Sequence, residues 1–100
     1  MGGAQDQIMK EKNEITKIVS NIINEIDPEN FRPGDIDGTP INEYELEIRL
    51  ICNFILHKQE DIKLNSHVLS EYINKIWNEY FGSDCNNLLE ITERLYKSIL

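Results

Sequence analysis

Carboxylates carry most of the chemistry this sequence could perform. Asp35-x-Asp37-Gly38 places two acids beside a turn-forming glycine, and Glu43, Glu45 and Glu47 follow in a helix-forming stretch. Glu43 and Glu47 are four residues apart. A helix sets such a pair on one face, where two carboxylates can exchange a proton or hold a cation. Aligned with a calcium loop, Asp37-Gly38 takes the fifth and sixth positions. Pro33 and Tyr44 then fall at the first and twelfth, where carboxylate ligands are required, so the calcium signature fails. Ferritin-like sites need Glu-x-x-His, which the chain lacks. Two like charges on an exposed helix repel by only about 0.2–0.5 kcal/mol, so a solvated helix face explains the pair equally well.

The remaining reactive side chains are few. His57 and His67 are the only histidines and fall on different elements. Cys52 precedes His57 by five residues, which is not a zinc pair on one helical face. Cys85 falls near the expected start of the last helix, where the dipole would lower a thiol pKa, but no histidine base is indicated. No glycine-rich phosphate loop, nucleophile elbow or His-Glu-x-x-His occurs. The reading predicts no catalytic residue, no metal and no cofactor.

The charge distribution points elsewhere. The formal net charge is -8, from 18 acidic and 10 basic residues. Residues 27–47 hold seven acids (Asp27, Glu29, Asp35, Asp37, Glu43, Glu45, Glu47) and one base, Arg32. Such a balance argues against nucleic-acid phosphates and anionic membranes and leaves a basic protein as partner. The acids form either a solvated loop and helix start, where they suit the dipole, or a recognition face.

These residues need a scaffold, and the pattern is helical throughout. One hundred residues make a single domain, 1–100, with residues 1–4 disordered. Ile8, Ile15, Ile18, Val19, Ile22, Ile23 and Ile26 predict a first helix over about Gln5–Ile26. Asp27-Pro28 ends it. An ordered loop over 27–39 follows, with Phe31 and Ile36 tucked into the core. Thr39 as cap and Pro40 in the first turn predict a second helix running to about His57. Tyr44, Ile48, Ile51, Cys52 and Ile55 form its core face. Leu46, Leu50 and Phe54 form a second apolar row, suited to a central helix or to a homodimer contact. Residues 58–65 read as a connection. Val68, Leu69, Tyr72, Ile73, Ile76, Trp77, Tyr80 and Phe81 predict a third helix, capped by Asn65 or Ser66 and stopped by Gly82. A fourth begins at Ser83 or Asp84 and buries Leu88, Ile91, Leu95, Tyr96, Ile99 and Leu100. The expected fold is all-α: a four-helix irregular or up-and-down bundle with a long loop between helices 1 and 2.

The run Asp27-Pro28, then Gly38-Thr39-Pro40-x-x-Glu43-Tyr44-x-x-Glu47-Ile48, resembles a family of small bacterial domains of unknown function. Asn42 replaces an acid of that family's pattern, and the loop before Gly38 is longer than usual. A similar motif recurs in immunity-type proteins that neutralise toxins. The resemblance covers about a fifth of the chain, and it implies a small helical domain with no assigned activity. Physically, Asp27 would accept backbone N–H groups and Gly38 would allow a positive φ. Pro40 would start the helix, and Tyr44 with Ile48 would anchor it. Glu47, placed off the core face, is the motif residue that packing explains least.

Two cysteines, no secretory signal and no apolar run of about 18 residues predict a cytoplasmic protein. The functional expectation is a bacterial protein–protein interaction module and not an enzyme. It would bind through Asp35, Asp37, Glu43 and Glu47, with an immunity-like inhibitor as one form of that role. The alternative is a small metal-dependent or acid/base enzyme using the same four carboxylates.

Overall fold

A computed structural model describes residues 2–32 and 43–99, with side chains from residue 12 onward. The fold is all-α, as the periodicity requires. The helices are α1 (Gly2–Ile26), α2 (Glu45–His57), α3 (Gln59–Leu64), α4 (His67–Phe81) and α5 (Leu88–Ile99). Four of them close a ring: α1 packs on α2, α2 on α4, α4 on α5, and α5 back on α1. The short α3 lies against α2 and α4.

Helix boundaries follow local chemistry. α1 begins at Gly2, so residues 2–4, expected to be disordered, belong to its first turn. It stops at Asp27, whose φ of 53° leaves the right-handed region just before Pro28. The start of α2 expected from Thr39 and Pro40 lies outside the described residues, as do Asp35, Ile36, Asp37 and Gly38. From Glu43 onward the path is described, and Ile48 N–H reaches back to Tyr44 C=O at 2.9 Å.

The connection expected over 58–65 is partly helical. Lys58 alone, at φ -125°, separates α2 from α3. Fully buried Ile62, seven residues after buried Ile55, gives α3 its place in the core. Asn65 Oδ1 accepts the His67 N–H at 3.0 Å, so Asn65, not Ser66, caps α4 through its side chain. Gly82 ends α4 at φ 76°, the left-handed cap its position predicts. α5 starts at Leu88, later than Ser83 or Asp84. Asp84 Oδ1 instead accepts Asn74 Nδ2 (3.1 Å) and Asn78 Nδ2 (2.9 Å), which ties the α4–α5 link to α4.

The core joins Val19 and Ile23 of α1, Ile51 and Ile55 of α2, Leu69, Ile73 and Trp77 of α4, and Ile91 and Leu95 of α5. The second apolar row of α2 divides. Phe54 stacks on Tyr72 with centroids 3.9 Å apart, Leu50 is half-buried, and Leu46 is 43% exposed.

Candidate functional site

The described part of the acidic motif builds a clasp between the end of α1 and the start of α2. Asp27 is its hub. Asp27 Oδ1 accepts the Phe31 N–H at 2.9 Å and the Tyr44 hydroxyl at 2.7 Å, while Oδ2 accepts the Arg32 N–H at 2.8 Å. The Tyr44 oxygen in turn accepts the Glu29 N–H at 2.9 Å. Glu29 Oε2 accepts the indole N–H of Trp77 at 3.0 Å, and Asn86 Nδ2 donates to Pro28 C=O at 3.0 Å. The network thus joins α1, α2, α4 and the α4–α5 link.

An aromatic cluster lies under these bonds. The Phe31 ring sits 5.2 Å from Tyr44, and Trp77 sits 5.1 Å from Phe81 and 6.0 Å from Tyr44. Tyr44 and Trp77 are fully buried. Burying their polar tips would be costly without partners, and the clasp supplies them. Asp27, Asn30 and Arg32 have φ between 52° and 55°, an uncommon state for residues with side chains. The hydrogen bonds to Asp27 hold that winding in place.

The electrostatics describe a fastening. Burial alone would raise the Asp27 carboxyl. The Tyr44 bond, the Arg32 and Phe31 N–H groups and the Arg32 charge outweigh burial and hold it below its ordinary value. Burial and the bond to Asp27 push the Tyr44 phenol up, so it stays neutral. Both groups are spent on one another, leaving neither free to transfer a proton.

Of the four binding residues expected from sequence, Asp35 and Asp37 lie outside the described residues. Glu43 is exposed. Glu47 requires a correction: it is 5% exposed, not off the core face. Its Oε1 has no hydrogen-bond partner among the described residues. Burial raises its carboxyl pKa; its own backbone N–H opposes that rise and the Glu43 charge adds to it. The helical wheel misplaces Glu47 because it is adjacent to the core stripe, three residues from both Tyr44 and Leu50. Among the motif residues, Asp27, Tyr44 and Ile48 are placed as anchors, while Gly38 and Pro40 lie outside the described part.

Both cysteines are free and buried, and only the lowered pKa expected for Cys85 is corrected. Cys85 precedes α5 by three residues. Burial, with the Glu29 charge, pushes its thiol up to about 12. Cys52 is buried and likewise raised by burial. His57 is exposed. His67 Nε2 lies 3.1 Å from Glu71, and its Nδ1 lies 3.5 Å from Ser70 Oγ. Ser70 already donates to the His67 C=O at 3.0 Å, so its hydroxyl serves its own helix. Among the described residues, no three His, Cys, Asp or Glu side chains are grouped to hold a metal ion. A groove of about 350 Å³ between α4 and α5 is lined by His67, Ser70, Thr92, Glu93, Tyr96 and Lys97 among others.

Sequence reading missed Glu29, Trp77 and Asn86 as members of the clasp. Their bonds join residues 48 and 58 apart in the chain, and no spacing rule connects them. No family model, curated protein or solved structure matches this chain. Among the described residues, no helix is long and apolar enough to cross a membrane.

Proposed function

We propose that this chain is a protein-interaction module of the bacterial cytoplasm that presents an acidic face, around the loop and the start of α2, to a basic partner. The observation that carries the reading is the Asp27–Tyr44 clasp, which fastens both ends of the most acidic segment to the bundle. A fixed array of like charges steers an oppositely charged partner and loses little freedom on contact. Asp27 and Glu29 serve the clasp. Glu43 is exposed for contact; Asp35 and Asp37 lie outside the described residues and are assigned to the same partner by their charge alone. The motif resemblance favours an inhibitor of the immunity type. The test is capture of a basic partner by the immobilised chain, repeated with Asp35→Lys, Asp37→Lys and Glu43→Lys combined. Loss of capture with unchanged circular dichroism is expected; undiminished capture by the folded variant would refute the reading.

Buried Glu47, whose Oε1 has no partner among the described residues, favours a second reading, a small metal-dependent or acid/base enzyme using Asp35, Asp37, Glu43 and Glu47, since carboxyls raised by burial suit proton transfer. A flat melting response to calcium, magnesium, manganese and zinc would remove its metal-dependent form. Self-association is a further proposal, through Leu46 with Leu50 and Phe54. Light scattering at two concentrations tests it.

A further inference from the structure

We propose that Glu47 is the anchor point of the acidic face, the acceptor for a guanidinium group that a basic partner inserts beside Glu43. This rests on the interaction-module reading and names the chemistry of its contact. Glu47 is 5% exposed; its carboxylate accepts its own backbone N–H, and its Oε1 has no donor among the described residues. Buried carboxylate oxygens are normally satisfied, and an orphan one is a place where a donor is wanted. Glu47 lies in the first turn of α2, and the charge it feels is that of Glu43, another acid. Arg49, on the same helix, is engaged with Glu45 at 3.2 Å. A cation arriving at Glu43 would therefore relieve both the repulsion and the unmet acceptor.

The chemistry favours guanidinium over a metal ion. A divalent ion needs several oxygen ligands, and no group of three candidate ligands exists among the described residues. One carboxylate suffices for a guanidinium. Its planar fork of donors matches carboxylate geometry, and its weak hydration tolerates burial.

The probe is a nonaarginine peptide titrated into the full chain by calorimetry. Glu47→Gln is nearly isosteric, removes the charge, and is expected to weaken binding about tenfold or more, as loss of a buried charged contact does. Glu45→Gln, an exposed control, is expected to weaken it less than about fivefold. In the wild type, the Glu47 side-chain carbonyl resonance should move during the titration, a measurement that stands even if Glu47→Gln fails to fold. An unmoved resonance, or equal losses in the two variants, overturns the proposal while peptide binding leaves the acidic-face reading standing. No binding by the wild type overturns both.

Discussion

Removing one oxygen atom tests the clasp. In Tyr44→Phe the ring keeps its place among Phe31, Trp77 and Phe81, so packing changes little. Two hydrogen bonds disappear: the 2.7 Å bond to Asp27 and the 2.9 Å bond from the Glu29 N–H. A bond to a charged acceptor contributes about 1.5–3 kcal/mol, and a donor left without its partner costs about 1–3 kcal/mol. These belong to one network and do not add fully. Asp27 is only half-buried and keeps two backbone donors, so the lower part of the range applies, about 2–3 kcal/mol. For a domain of this size, that lowers the melting temperature by roughly 10–15 °C. Urea unfolding at pH 7, followed by circular dichroism, measures it. Acid provides a second arm. The Asp27 carboxyl lies below its ordinary 3.8 when folded. The stability it contributes is therefore present above that value and lost as pH falls through the folded one. The gap between wild type and Tyr44→Phe should narrow on that descent. A loss under about 1 kcal/mol at pH 7, or a gap independent of pH, would refute the account of the clasp.

Glu47→Gln should be more stable than wild type at pH 8. The raised carboxyl contributes its stability fully at low pH and loses it as pH rises through the folded value, so the advantage should vanish in acid, read by urea midpoints. Gly82→Ala should cost about 1 kcal/mol although an added methyl meets nothing within 4 Å, because the 76° φ disfavours a side chain; thermal melting measures it. Cys52 and Cys85 should resist a thiol reagent until urea unfolds the chain, and prompt reaction of either in the native state would contradict their burial and raised pKa values.

The bundle was legible because its helices keep a 3.6-residue apolar stripe over three or more turns, most cleanly from Val68 to Phe81. The α3 turn was not, since six residues hold one buried apolar side chain, Ile62, and give no period to detect. At the site, Asp27, Tyr44 and Ile48 were legible as anchors through turn chemistry and the core stripe. Glu47 was misplaced because its burial depends on its neighbours in space, and side-chain identity at the edge of a stripe does not report them. The Glu29–Trp77 bond spans 48 residues and needed the tertiary fold to be seen.

The clasp also ties together parts of the chain that are far apart. The Asp27–Tyr44 bond closes a loop of 17 residues and the Glu29–Trp77 bond one of 48. The entropy of closing a loop grows only with the logarithm of its length, about 0.6 kcal/mol for each doubling. The longer closure therefore costs only about 1 kcal/mol more than the shorter, and the turn after α1 can draw its partners from a distant helix as readily as from the next one.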